Sequence, residues 1–538
     1  MENTDIAPAS DINVVLEQNQ RLSQSLLWKL QRNFYEQQGI HAWSRGQNSV
    51  PHYITCNPFI ARAYSKVVFA FLRDCQNPAT PLSDGNQPFY ILELGSGSGR
   101  FAYLFLKSFL DMLTHCALKD FPFKYIMTDF SKSNLACWQT HSWLQPFVEQ
   151  GILDFACFDA EKPQDLTLLR SGTVFSVGTV VHPIVVLSNY VFDSIPQDCF
   201  TIKQGQLSES LLTITSTQGE TDLNNPDLLT HLTLDYQHRP ITVNYYDDPD
   251  FNQILQTYQE RLADTTILFP YAALQCLRYF RDLSDGRLLL LSGDKGYSRE
   301  QDLLDRGTPA IAFHGSFSMM VNYHAIGEYS RNQGGKVLHI PRKHSSLSIC
   351  ACLLGQHPNG YLETTLAFLD AIEQWGPDDF FTFERGLEQV YATLSTEQLL
   401  TYLRLSGWDS NIFLNCYSVL RKQVESASAS LRQELYQAIQ QVWNMYYSIG
   451  EENDLPFKLG SLMYAMDYYP EALNYYQHSL SLYGPDAATM YNMSLCYYCQ
   501  RHWEAALEYI DRALKLDPAH EGARAMRIRV QPEIGYRP

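Results

Sequence analysis

Residues 89–101 read FYILELGSGSGRF. The apolar run is the right length for one buried strand, Glu93 closes it, and Gly95, Gly97 and Gly99 alternate with serines before a helix opens at Arg100. Glycine tolerates the positive φ of a tight turn and lets a ligand lie against bare backbone at a helix N-terminus. The same alternation continues outward. Strand-like FYILEL, KYIMTD, ILDFACF, PIVVLSN and GRLLLLS are separated by helical stretches at about 100–116, after Ser131, and near 271–281. Short apolar runs alternating with helices predict a parallel, doubly wound α/β sheet.

The glycine spacing is G-x-G-x-G, not the G-x-G-x-x-G of a pyrophosphate turn, and no G-x-x-x-x-G-K-[ST] phosphate loop surrounds it. An acid two residues before the first glycine suits a cationic amino-acid moiety, which favours S-adenosylmethionine over a dinucleotide. The later strand ends continue the pattern. KYIMTDFS places Asp129 where a carboxylate can accept from ribose hydroxyls, FACFDAEKP places Asp159 where one can meet an adenine amine, and SNYVFDSIPQ brings Asn189, Tyr190 and Asp193 just past a fourth strand. The expected cofactor set is Glu93, Gly95, Ser96, Gly97, Gly99, Arg100, Asp129, Phe130, Asp159, Ala160 and Asn189. Asp193, Tyr190 and His314 are the candidates for the transfer step, and no metal is expected.

The chain has 538 residues and a net charge of −18, a balance that repels phosphate backbones and argues against a nucleic-acid partner. Aromatic residues at 13% supply ample apolar surface for folded domains. Twelve cysteines spread from Cys56 to Cys499 show no clustered framework and read as reduced thiols, with Cys496 and Cys499 packed inside a helix. The N-terminus lacks a basic region followed by an apolar core, so the expected location is cytoplasmic, with export by signal-less routes left open. The uncharged stretch from Ser171 to Phe192 is interrupted by Gly172, Gly178, His182, Pro183 and Asn189 and is expected to form two buried strands rather than a membrane span.

Residues 12–46 carry a helical pattern, and the strand signals stop near Gly355. The expected organisation is an N-terminal helical extension over 1–50, an α/β domain over 51–355 and an all-α domain over 356–538. Within the last, Leu459, Gly460, Ala472, Tyr476 and Ser479 recur 34 residues later as Met493, Ser494, Ala506, Ile510 and Ala513, and Pro518 follows the helix that closes the second copy. Period and pattern resemble the tetratricopeptide repeat, clearest over 453–520.

Together, YITCNPFIARAYSKVVFAFL, ELGSGSGRF, SNYVFDSIPQDCF, GRLLLLSGDKGY and FSMMVNYHAIGEY resemble the MidA family of SAM-dependent methyltransferases across roughly residues 30–345. The resemblance implies a class I (Rossmann-like) methyltransferase fold, S-adenosylmethionine as cofactor and protein substrates; the family's eukaryotic member is a complex I assembly factor that methylates an arginine. Where the family reads approximately N-E-F-F-D-A-L-P, Tyr190 stands in place of the Glu, and the family's T-A-H falls near Ser318, Met319 and Met320, with His314 and His324 nearby. A carboxylate orients a guanidinium through bidentate hydrogen bonds, which a tyrosine cannot do. The function expected is methylation of a protein side chain, with the repeats recruiting substrate or partner. An interaction scaffold with a degenerate methyltransferase domain, a small-molecule methyltransferase, and homodimerisation stay open.

Overall fold

Phe89–Leu94 is buried along its whole length and forms β1, an interior strand of a seven-stranded sheet. The computed structural model describes residues 13–43, 50–76, 87–116, 118, 120–314, 316–342, 346–355 and 360–535. The other strands of that sheet are β2 (Phe123–Asp129), β3 (Leu153–Cys157), β4 (Ile184–Asn189), β5 (Leu288–Asp294), β6 (Lys336–His339) and β7 (Ser348–Leu354). Their order is β6-β7-β5-β4-β1-β2-β3. β1 to β5 run parallel, and β7 enters antiparallel between β5 and β6. That reversed last hairpin is the class I methyltransferase arrangement and separates this sheet from an all-parallel dinucleotide fold. The chain order turns back between β1 and β4, so the carboxyl ends of β1 to β4 open onto one crevice.

A strand covered on both faces reads as a continuous apolar run, and β1 does so because helices lie on either side. On one face Phe89 meets Phe71 of α2 (Pro58–Cys75), and Tyr125 meets Phe105 of α3 (Arg100–Thr114), with ring centroids 6.2 and 5.3 Å apart. On the other, Tyr90, Leu92 and Leu94 join one core with Val186, Leu290 and the helix residues Ala273, Leu277 and Phe280.

Residues 12–46 are not helical throughout. Val14–Gln20 is a strand paired antiparallel with Gln206–Ser216. It joins a second, five-stranded antiparallel sheet, not anticipated from the sequence, whose other four strands, including Asp198–Lys203, Leu232–Pro240 and Thr265–Phe269, lie between β4 and β5 in the chain. Edge pairing satisfies backbone groups that a helix would have satisfied internally. The helix starts later: α1 (Leu26–Gln38) begins at Ser25, whose hydroxyl accepts from the Leu27 amide, and ends at Gly39 with φ 50°.

The chain divides into two units, residues 1–380 and 381–538. The change lies beyond the expected position at 355 because the helix Leu362–Phe368 docks on α2. Buried Asp74 of α2 accepts from the Glu363 amide at 3.2 Å and from the Thr364 amide and hydroxyl at 2.8 and 2.7 Å, and so caps that helix. The second unit is helical where described. It includes the helix pairs Leu455–Ala465 with Tyr469–Tyr483 and Ala487–Cys499 with Trp503–Leu516. The recurring positions Leu459, Ala472, Tyr476 and Ser479, and Met493, Ser494, Ala506, Ile510 and Ala513, are all buried. A Cβ on Gly460 would come within 2.8 Å of the Tyr476 ring, so this helix pair needs the small residue.

Candidate functional site

Glycine conformations set the floor of the crevice. Gly95, Gly97 and Gly99 have φ of 56°, 52° and 82°, all in the left-handed region. The turn is pinned by Ser96 N to Thr128 O (2.9 Å), Gly99 N to Ser96 O (2.8 Å) and the Trp138 indole N–H to Gly97 O (3.0 Å). One cavity is lined by Glu93, Gly95, Ser96, Gly97, Asp129, Phe130, Asp159, Ala160 and Asn189, together with Tyr190 and Asp193. Gly99 and Arg100 stand outside that lining, where Gly99 caps α3 and Arg100 is its first residue. The side chain of His314 lies outside the described residues; its backbone ends the short strand Ala312–His314. His324 is buried away from the cavity, with Nδ1 3.0 Å from the Tyr258 hydroxyl, while Ser318 lines it.

Glu93 is buried at the end of β1, and Tyr125 donates to its Oε2 at 3.0 Å. Burial pushes its carboxyl up to about 7, with the like charge of Asp129 adding to the rise against hydrogen bonds from Ser96 and Tyr125. A buried carboxylate without a cationic partner is costly, and a bound ammonium would relieve that cost. Asp129 is raised too, chiefly by burial, and its carboxylate braces the turn. It accepts from the Gly97 amide (3.3 Å), the Ser131 amide (2.9 Å) and Asn134 Nδ2 (3.0 Å), and the Phe130 amide also bonds it. Asn134 also lines the cavity, and its buried Oδ1 has no partner among the described residues.

At the far end, the Tyr64 hydroxyl donates to Asn189 Oδ1 at 2.8 Å. Gly293 of β5 is required here, since a Cβ would lie 2.8 Å from that hydroxyl. Tyr190 has φ 54°, a rare backbone state for a bulky side chain, held by its amide donating to Gly293 O at 3.0 Å. Strained backbone of this kind clusters at functional sites. Burial holds its phenol well above the usual range. Asp193 and Asp294 are both buried and face each other. Burial raises both carboxyls, the neighbouring Asp193 charge raises Asp294 further, and Asp294 Oδ1 finds no donor among the described residues. Ser194 donates to Asp193 Oδ1 at 2.8 Å and Tyr323 to Asp294 Oδ2 at 3.2 Å.

The cavity has a roof that the sequence did not reveal. Gln31, Arg32 and Tyr35 of α1, with Trp43 and His52, close over the glycine turn. Tyr35 and Trp43 stack at 5.8 Å, and a Cβ on Gly97 would meet Trp43 Cζ2 at 2.9 Å. Gln31 is fixed by a pair of hydrogen bonds to the Phe317 backbone, 2.7 Å from its Nε2 to the carbonyl and 3.0 Å from the amide to its Oε1. Burial and the Arg100 charge lower His52 to about 4, so it is a neutral imidazole, with Nδ1 3.0 Å from Val50 O. Asp294 and the roof residues lack a local motif; the one advance signal for α1 was its amphipathic pattern.

Residues 487–520 match the family model of the tetratricopeptide repeat. No sequence relative was found among curated proteins. Among solved structures, the chain is similar to a Burkholderia thailandensis protein described as a "likely methyl transferase" bound to S-adenosyl-homocysteine. Identity is 15%, TM-score 0.38, and the match covers 59% of this chain and 73% of that one. A native structure of an uncharacterized protein of the same superfamily and organism matches at 13% identity, TM-score 0.34, over 59% and 78%. YrrB, a TPR protein with an unusual peptide-binding site, matches at 18% identity, TM-score 0.22, over 31% of this chain and 92% of that one. Likenesses this distant carry no functional argument, which rests below on this chain's own cavity.

Proposed function

We propose that the chain is an S-adenosylmethionine-dependent methyltransferase acting on a protein side chain. The carrying observation is buried Glu93, which has no cationic partner among the described residues and stands beside a glycine turn that would leave backbone bare to a ligand. S-adenosylmethionine, when bound, would supply an electrophilic methyl group. Glu93 would take the amino-acid ammonium, Asp129 the ribose hydroxyls and Asp159 the adenine amine; partnerless Asn134 Oδ1 marks a further buried acceptor in the same cavity. The residues present fit the cofactor.

The chain's own contribution is alignment and exclusion of water, the main need of an in-line displacement. The roof of Tyr35, Trp43 and His52 covers the crevice, and strained Tyr190 fixes one wall at the transfer end. The buried Asp193–Asp294 pair, both carboxyls raised by burial, would serve as a proton acceptor or donor at the transfer end, next to Lys295. The helical unit would raise the local concentration of a protein substrate or partner. Free cysteines and the acidic charge fit a cytoplasmic location.

Incubating the full chain with lysate and methyl-labelled S-adenosylmethionine tests the acceptor class. Label in protein supports the proposal, label in the small-molecule fraction favours a small-molecule acceptor, and no transfer with intact binding favours a scaffold.

A further inference from the structure

α1 reaches the cavity through Arg32. Its Nη1 lies 2.8 Å from Asp159 Oδ2, its Nε 3.3 Å from Glu36 Oε1, and its guanidinium carbon 4.4 Å from the centroid of the Phe130 ring. Asp159 Oδ1 accepts from the Glu161 amide at 3.0 Å. The carboxylate is therefore fixed at both oxygens and still has acceptor sites to spare. Arg32, Phe130, Phe158 and Asp159 line the site cavity and also a second cavity on the outer side, so the ion pair is their common wall. The pair is only part-buried, with side-chain exposures of 30% and 21%, so its value lies in geometry more than in stability.

Resting on the methyltransferase proposal, we infer that Arg32 is a positioning residue for cofactor selection: it orients Asp159 so that the cavity recognises an adenine by its exocyclic amine. A planar guanidinium that donates to one oxygen while lying over Phe130 leaves the carboxylate one orientation. Without Arg32 the carboxylate can turn to solvent and the wall opens to the outer cavity. The N-terminal extension would thereby set which nucleoside the α/β sheet accepts.

Calorimetry on the full chain, comparing S-adenosylhomocysteine with S-inosylhomocysteine, in which a carbonyl replaces the amine, tests this. The wild type should prefer the adenine ligand by about tenfold or more, as a site built around a polar group rejects an analogue that leaves it unpaired. Asp159→Asn should remove most of that preference, Arg32→Gln should reduce it severalfold, and Arg32→Lys should retain more of it than Arg32→Gln. General loosening would weaken both ligands together and leave the ratio unchanged. An unchanged ratio in Arg32→Gln, or tighter binding of both ligands as if a plug had been removed, would overturn the assignment. Failure of the wild type to bind either ligand would instead sink the methyltransferase proposal on which it rests.

Discussion

The floor and the roof of the cavity are built in opposite ways. The floor is local: three glycines with positive φ, an acid two residues before them, and acids at the ends of the next strands. The roof is assembled at long range. Gln31 is bonded to Phe317, 286 residues away, and Arg32 to Asp159, 127 residues away. The floor sets which groups a ligand meets, whereas the roof sets how long and how selectively it is held.

The sharpest way to break this division is Gly97→Val. A valine there must adopt φ 52° and place its Cβ 2.9 Å from Trp43, damaging floor and roof together. S-adenosylhomocysteine affinity should fall by on the order of 100-fold or more in calorimetry, since backbone strain of ~1–3 kcal/mol adds to the clash. Trp43→Ala, which alters the roof alone, should cost about tenfold or less. Equal losses would erase the distinction.

Glu93→Gln comes next. Loss of one charge-assisted hydrogen bond should weaken binding by roughly 10- to 100-fold. The wild type should also show a pH dependence. Below about 7 the Glu93 carboxyl is protonated in the free protein, and an ammonium ligand requires it ionised, so binding expels a proton and affinity rises with pH up to about 7. The slope should be absent in Glu93→Gln, and a wild type with flat affinity between pH 5.5 and 8 would refute the role given to Glu93.

In the second unit, Gly460→Val should lower stability by about 1–3 kcal/mol in thermal melts through overpacking against Tyr476, with S-adenosylhomocysteine affinity unchanged. A binding defect there would show that the repeats help to form the site. The smallest effect expected is Tyr190→Phe, below about threefold on cofactor affinity, because what fixes Tyr190 in place is its backbone amide on Gly293 rather than its phenol.

Local chemistry explains what the sequence disclosed. Gly95, Gly97 and Asp129 could be placed because turn geometry and strand ends depend on neighbouring residues, and the repeat positions because a 34-residue period is written into the chain. Val14–Gln20 carries a helical pattern yet forms a strand because its partner strand, Gln206–Ser216, lies far along the chain and pairs it into an edge that no local pattern announces. Asp294 carries no local signal for the same reason. It ends a strand like the other acids, yet its significance arises from facing Asp193 across the fold.

The most direct test of the central claim is calorimetric titration of the full chain with S-adenosylhomocysteine at pH 8. The account predicts saturable one-to-one binding with Kd below ~100 μM, corresponding to about −5.5 kcal/mol or better. Absence of binding at several hundred micromolar, in a protein whose melt shows it folded, would contradict it.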